Sequence, residues 1–185
     1  RFYYVGHVTL LNGKVYGVKT DTSAIFYECF FDDVYAKCLK TGAEGNTAFY
    51  HNGADCHFKD CLSVDYTYGF YISTHNLLSR CHTWGGPVGY DPDSAICTSS
   101  YLVNSIGFIL HGQQNKLISC YADTAKQGMK IEGNQNSLIG CLFYSNYATY
   151  KLEPWCHVYN EGDNTKFIGC SMQDNGGEGT KIDGS

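Results

Sequence analysis

Short apolar phrases recur along this chain, and within each phrase hydrophobic residues alternate with polar ones. The clearest is Gly-Met-Lys-Ile-Glu-Gly at 128–133, in which Met129 and Ile131 are apolar and Lys130 and Glu132 are charged. Alternation with a period of two indicates a β-strand that buries one face. Related phrases lie at 17–20, 69–72, 107–112 and 179–184. Strand phrases that repeat at short intervals predict a solenoid.

A second phrase, which ends in cysteine, precedes the strand phrases. It closes on Cys61, Cys81, Cys120, Cys141 and Cys170. Asparagine stands five residues before three of these cysteines, at Asn76, Asn115 and Asn136. Aligned on both phrases, the chain divides into about seven coils. We call the strand of the glycine phrase PB1.

The phrases Asn-x-Leu-Ile-x-Cys and Gly-x-x-Ile-x-Gly resemble those of the right-handed parallel β-helices of the pectate-lyase-like superfamily. Cys-Tyr-Ala-Asp-Thr at 120–124 is similar to phage tailspikes and secreted bacterial members. The resemblance implies an all-β, single-stranded, right-handed parallel β-helix over residues 1–185 as one domain. It also implies an extracellular or virion-surface protein that binds or processes a polysaccharide or cell-surface glycan.

Composition fits this architecture and narrows the partners. The chain has 21 glycines, 3 prolines and 15% aromatic residues, and Ile, Phe, Tyr, Thr and Val suit strands. A formal net charge of −5 argues against nucleic acid, whose binding needs a basic stripe. No apolar run approaches the length of a membrane span. No cysteine pair has zinc-ribbon spacing, so we do not expect a metal site. We expect no cofactor.

Both ends of the solenoid need a cover, because an open coil exposes unpaired strand edges. The chain starts at Arg1 and stops directly after the seventh PB1 phrase, with no segment typical of a capping helix. We therefore expect a fragment of a longer protein. Neighbouring segments, or partner chains in a homotrimer, would cover its ends.

The repeat argues against disulfide bonds for most of the cysteines. The five phrase cysteines, together with Cys29, are predicted to share one inward position. Coils stack ~4.8 Å apart, which is wider than the Cβ separation of a disulfide. A ladder of buried thiols follows, and any bridge would lie among Cys38, Cys56, Cys97 and Cys156.

Carrying the alternation of 128–133 along the repeat gives two outward columns on PB1 and one inward column between them. The first outward column reads Lys19, Tyr50, Tyr71, Ile109, Lys130, Tyr159 and Lys181. The second reads Asp21, Asn52, Ser73, His111, Glu132, Glu161 and Asp183. The inward column reads Thr20, His51, Ile72, Leu110, Ile131, Asn160 and Ile182. His51 and Asn160 are poor core residues, which suggests that turns two and six are out of register.

The outward columns contain the candidate catalytic residues. His111, Glu132, Glu161 and Asp183 fall on four successive coils, with neighbouring carboxylates ~5 Å apart. Glycosidases use carboxylate pairs at such separations, and like charges this close raise one pKa and create an acid beside a base. Lys130 or Tyr159 would instead remove a proton in β-elimination. An exposed sheet face that merely carries polar residues is the alternative.

Two insertions, 82–106 and 144–157, are predicted to form walls beside these columns. They supply aromatic residues on which sugar rings can stack. The candidate substrate-binding residues are Tyr71, Trp84, Tyr90, Tyr150, Trp155 and Lys181. Three functions remain open: a polysaccharide hydrolase or lyase, a glycan-binding spike without catalysis, and a structural shaft.

Overall fold

The computed structural model describes residues 3–11, 15–20, 27–38, 46–84, 105–123, 125, 127–145, 156–174 and 182–184. Within these ranges the chain forms nineteen β-strands and no helix, and every pairing of strands is parallel. The rungs of seven coils stack in register. The expected parallel β-helix is confirmed.

The first two coils each contain one long strand and one PB1 strand. Their strands are β1 (Tyr4–Leu11), β2 (Tyr16–Thr20), β3 (Phe30–Lys37) and β4 (Thr47–His51). Each later coil contains two short strands followed by PB1. Those strands are β5 (His57–Lys59), β6 (Leu62–Val64), β7 (Tyr68–Ile72), β8 (Leu77–Ser79), β9 (His82–Trp84), β10 (Ile106–Leu110), β11 (Lys116–Ile118), β12 (Tyr121–Asp123), β13 (Gln127–Ile131), β14 (Ser137–Ile139), β15 (Leu142–Ser145), β16 (Cys156–Asn160), β17 (Lys166–Ile168), β18 (Ser171–Asp174) and β19 (Ile182–Gly184).

Two sheets result from this stacking. The PB1 sheet has seven strands in the order β19-β16-β13-β10-β7-β4-β2. The second sheet has twelve strands, because the long strand β3 pairs with both β5 and β6 and so joins the two rows of short strands. The ends of both predicted insertions are strand: 82–84 form β9, Ile106 begins β10, 144–145 end β15 and Cys156 begins β16.

A left-handed residue separates the two short strands of each coil. Asp60, Arg80, Ser119, Gly140 and Gly169 occupy this corner, with φ between 50° and 60°. The corners stack, and each amide donates to the next coil, as Ser119 N does to Ile139 O at 2.8 Å. Because L-residues pay a steric cost in this conformation, glycine is the natural occupant. The kink recurs one residue before each phrase cysteine.

The turn after PB1 is locked by a ladder of buried asparagines. Asn76, Asn115 and Asn136 are at most 2% exposed. Asn76 N donates to Asn115 Oδ1 at 2.9 Å, and Asn115 N donates to Asn136 Oδ1 at 2.8 Å. The same turn needs Gly133, because a Cβ there would overlap the carbonyl of Gly112. The side-chain oxygen of each buried asparagine thus accepts a hydrogen bond from the backbone of the adjacent coil, which fixes the position of that coil.

The thiol ladder is confirmed for the five phrase cysteines. Each thiol donates to a backbone carbonyl of the preceding coil, at distances from 3.4 Å for Cys81 to 3.7 Å for Cys141. Cys29 does not belong to it, contrary to the prediction. Its amide contacts Cys56 Sγ at 3.4 Å, so these two cysteines occupy the asparagine position of their coils. Tyr35 pairs with Leu62, so Val34, which precedes Tyr35, lies opposite Cys61, which precedes Leu62. Val34 therefore takes the ladder position in its coil.

The cysteines in the described part of the chain form no disulfide bonds. They are Cys29, Cys38, Cys56, Cys61, Cys81, Cys120, Cys141 and Cys170. Cys97 and the side chain of Cys156 lie outside the described residues.

The predicted inward column and first outward column hold from the first coil to the sixth, whereas Asp21 of the second outward column lies outside the described residues. Thr20, His51, Ile72, Leu110, Ile131 and Asn160 pair in sequence across β2, β4, β7, β10, β13 and β16. The expected slips at turns two and six are therefore wrong. His51 fits the core because its Nδ1 bonds to Thr20 Oγ1 at 2.7 Å, and Asn160 Nδ2 donates to Gly162 O at 3.0 Å.

The seventh coil departs from the predicted register by two residues. Ile182 pairs with Val158 rather than with Asn160, and Asp183 pairs with Tyr159 rather than with Glu161. A shift of two keeps every residue on the same face of its strand, so alternation cannot detect it. Asp183 therefore lies in the first outward column, not the second.

Stacked aromatic rings fill the core between the two sheets. Phe31 stacks on Phe58 at 4.6 Å, and Phe49 stacks on Phe70 at 4.4 Å. The ring of His51 meets Phe58 edge-on at 5.2 Å. Because His51 is 1% exposed, burial lowers its pKa to about 4, although the nearby side chain of Asn76 opposes the shift.

Replacing Gly140 with alanine should destabilise the fold through backbone strain alone. Gly140 has φ +60°, and an added Cβ would meet nothing closer than Ser119 Oγ at 3.7 Å. We expect a loss of about 1–2 kcal/mol in the free energy of unfolding, measured by urea denaturation. The matched control is Ser119→Ala at the same corner one coil earlier, where a side chain is already present. Equal losses in the two variants would contradict this explanation.

His51 should make stability depend on pH. Its pKa is lower in the folded state than the ordinary value near 6.5, so the unfolded chain binds the proton more readily. Stability should fall as pH decreases from about 6.5 to about 4, by about 3 kcal/mol at most. His51→Phe should remove this part of the acid loss, as unfolding free energies between pH 4 and 7 would reveal. Parallel pH curves for variant and wild type would contradict it.

Candidate functional site

The candidate residues lie where the central PB1 strands end. His111, Glu132 and Glu161 directly follow β10, β13 and β16. Their amides continue the ladder for one more residue: Glu132 N donates to Leu110 O at 3.0 Å, and Glu161 N donates to Ile131 O at 2.8 Å. This extra rung places the three side chains one above another on consecutive coils, as the second outward column predicted.

Glu132 is the centre of a hydrogen-bonded ionic cluster. Its Oε2 accepts from His111 Nδ1 at 2.7 Å, and its Oε1 accepts from Lys130 Nζ at 2.6 Å. Lys130 Nζ also lies 3.8 Å from Glu161 Oε2. One ammonium group therefore bridges the two carboxylates. Tyr159 pairs with Lys130 on the next coil and therefore lies beside the cluster.

These contacts keep Glu132 ionised. Partial burial favours the neutral acid, but hydrogen bonds from Lys130 and His111 outweigh burial and lower the pKa of Glu132. The same hydrogen bond to Glu132 raises the pKa of Lys130. The prediction that neighbouring carboxylates would raise a pKa here is wrong for Glu132, because Lys130 stands between them. Glu132 is suited to accept hydrogen bonds and to orient His111, not to donate a proton.

A strip of stacked rings leads to this cluster from the first coils. Tyr16 lies 5.2 Å from Tyr50, Tyr50 stacks on Tyr71 at 4.9 Å, and Tyr71 stacks on His111 at 5.2 Å. Lys19 Nζ lies 5.0 Å from the centre of the Tyr16 ring. Tyr16 and Tyr50 were not among the predicted binding residues, although the outward column that contains Tyr50 was a signal for it.

Tyr71 presents an edge rather than a face. One face of its ring is covered by Tyr50 and the other by His111. Burial, with smaller contributions from the charge of Glu132 and from Tyr50, raises the pKa of Tyr71. Tyr71 therefore offers a protonated hydroxyl group for hydrogen bonding rather than a ring face for stacking, and its role in substrate binding stays a prediction.

Trp84 lies elsewhere than predicted. It ends β9 in the second sheet, beside a small pocket that it shares with Thr83, Ser105 and Gly107 at the beginning of β10. His111 follows the opposite end of that strand. Trp84 therefore does not wall the cluster around Glu132. The other predicted wall and substrate-binding residues, Tyr90, Tyr150, Trp155 and Lys181, lie outside the described residues.

Comparisons with protein-family models, with curated proteins and with solved structures found no match. Across the described ranges, no group of three or more His, Cys, Asp and Glu side chains is placed to hold a metal ion. No helix in that part of the chain has the length and hydrophobicity to cross a membrane.

The ionic cluster predicts how the pKa of Glu132 responds to substitution. Lys130→Met removes a hydrogen bond that stabilises the carboxylate, so we expect the pKa of Glu132 to rise, as followed by carbon-detected NMR titration. Lys116→Met is the matched control, because it removes an exposed lysine from β11 in the second sheet. A lowered pKa of Glu132 after Lys130→Met, or an equal rise in the control, would contradict the cluster.

Proposed function

We propose that this chain binds a polysaccharide along the outer face of the PB1 sheet and processes it there. The observation that supports this most directly is that the strip of rings and the ionic cluster form one continuous row, which we call the PB1 row. Phenol groups of Tyr50 and Tyr71 run coil by coil into the charged cluster of His111, Lys130 and Glu132. A row of hydrogen-bonding groups at one coil spacing suits a ligand that is itself a repeating, hydroxyl-rich chain.

The chemistry of the row favours a sugar polymer. Hydroxyl groups of sugars donate to carboxylates and accept from ammonium and phenol groups. Glu132 and Glu161 supply acceptors, whereas Lys130 supplies donors. Both charge signs occur within one cluster, so the site suits a ligand with many neutral polar groups. Similarity of the sequence phrases to the pectate-lyase-like superfamily supports the same ligand class.

Cleavage of the bound chain rests on the pair of His111 and Glu132. A carboxylate can only accept, so Nδ1 of His111 carries the hydrogen and Nε2 is left to take a proton. A histidine held this way acts as a general base, either on water or on the sugar itself. Lys130 or Tyr159 as the base, with β-elimination, is the other route that the sequence predicted.

Binding without cleavage is the second candidate function. The hydrogen bond from Lys130 to Glu132 supports it, because it lowers the pKa of Glu132, so the carboxylate is a weaker base and rarely carries a proton to donate. An extracellular or virion-surface location, assembly as a homotrimer and a cover for the coil ends stay predictions. They follow from the resemblance and from the general need of a solenoid to cover its terminal strands.

The test combines binding and turnover in one panel of acidic and neutral bacterial polysaccharides. We expect calorimetry to detect binding and mass spectrometry of the supernatant to detect oligosaccharides. Glu132→Gln should keep the fold and reduce the release of products about 10²–10⁴-fold, because it removes the carboxylate that orients His111. Lys116→Met on the second sheet should change neither quantity.

The outcomes separate the candidate functions. Unsaturated product ends would indicate elimination, and hydrated ends would indicate hydrolysis. Binding that weakens with Lys130→Met, without any product, would support the glycan-binding spike. Unchanged turnover in Glu132→Gln would contradict the catalytic assignment, and absence of both binding and products would leave a structural shaft.

A further inference from the structure

A column of outward side chains on the second sheet begins at an exposed tryptophan. Trp84 pairs with Asp123, Asp123 with Tyr144, and Tyr144 with Gln173, so the four residues lie on consecutive coils. Trp84 is 44% exposed. In the described part of the chain no ring stacks on the indole of Trp84. At the end of β9, the indole of Trp84 therefore presents exposed aromatic surface.

The carboxylate beside Trp84 is held in place by its neighbours. The hydroxyl of Tyr121 donates to Asp123. Burial, together with the charge of Asp123, raises the pKa of Tyr121 to about 12, so this phenol keeps its proton. The ring of His82 stacks on Tyr121 at 4.5 Å, with 14° between the planes. His82 and Tyr121 are thus positioning residues that fix an acceptor one coil away from an exposed indole.

We propose that Trp84, Asp123, Tyr144 and Gln173 form a second glycan site that binds a neutral oligosaccharide parallel to the solenoid axis. A pyranose ring packs its C–H face on Trp84, as indole rings commonly allow. The hydroxyl groups of the following sugars donate to Asp123 and exchange hydrogen bonds with Tyr144 and Gln173.

The charge and the spacing of the column select this ligand. The column contains one carboxylate and no cation, so it favours a neutral chain over an acidic one. Coils are ~4.8 Å apart, which is close to the advance of one sugar in an extended chain. One sugar per coil therefore keeps each unit in the same relation to its side chain, from the fourth coil to the seventh.

This site is separate from the PB1 row. Trp84 lies beside the beginning of β10 and His111 follows its end. Five residues of extended strand span roughly 16 Å, and the two sets of side chains belong to different sheets. The second site does not depend on the proposed function, and each can fail while the other holds.

The experiment uses the whole chain with neutral oligosaccharides of one to six sugars from the cello-, xylo-, malto- and laminari- series. Trp155→Phe leaves Trp84 as the one tryptophan in the sequence, so its fluorescence reports directly on the site. We expect emission to change on binding in at least one series. Affinity should rise with length up to about four sugars, one for each coil of the column.

Variants decide where the ligand binds. Calorimetry should find binding lost in Trp84→Ala and weakened about tenfold in Asp123→Asn, which keeps the shape of the side chain and loses its charge. Lys116→Met, which belongs to neither site, should bind as the wild type does, and Lys130→Met reports on binding at the PB1 cluster. Far-ultraviolet circular dichroism checks that each variant folds.

Three results would overturn the second site. They are no binding in any of the four series, wild-type affinity in both Trp84→Ala and Asp123→Asn, and equal losses in those variants and Lys130→Met. The last result would place neutral oligosaccharides on the PB1 row instead. Binding of acidic polysaccharides alone, lost in Lys130→Met, would support the proposed function and still overturn the second site.

Discussion

The stacking of one coil on the next is the constraint from which the rest of this molecule follows. Each strand completes its backbone hydrogen bonds only on the coils above and below, and buried side chains lock that position at the turn. Cys56 N donates to Asn76 Oδ1 at 3.0 Å, and the chain of bonds continues through Asn115 to Asn136. A slipped coil would leave these buried amides unpaired, which is costly. Register is therefore fixed coil by coil.

Fixed register turns sequence repeats into columns, and a column brings like residues together. Stacking suits rings and thiols, which pack well on their own kind, as Phe49 does on Phe70. Stacking of like charges is unfavourable because they repel each other. Glu132 and Glu161 follow strands on adjacent coils, and the arrangement is stable because Lys130 lies between them. The candidate site is thus built from rigid strand ends, and the ionic cluster follows from the repeat itself.

The repeat made the fold and six coils of PB1 predictable. Alternation shows which face of the strand a residue occupies, and the spacing of the phrases shows how the coils align. The prediction failed where the type of a residue suggested a different position from the one that the residue occupies. His51 looked like a slip but is an inward residue with Thr20 as its partner. Cys29 looked like a ladder thiol but occupies the asparagine position. The displacement of Asp183 by two residues preserves its face, so nothing in the alternation could reveal it.

Partners within a column were harder to predict than the column itself. The sequence predicted both Tyr71 and Trp84 as substrate-binding residues, yet stacking gives them different surfaces. A ring whose neighbours are rings is covered on both faces, and Tyr71 lies between Tyr50 and His111. The register neighbours of Trp84 are Val64 and Asp123, neither of which is aromatic. On a parallel β-helix, an aromatic residue keeps a free face only where the repeat of rings is interrupted, and such interruptions are where sugar stacking should be sought.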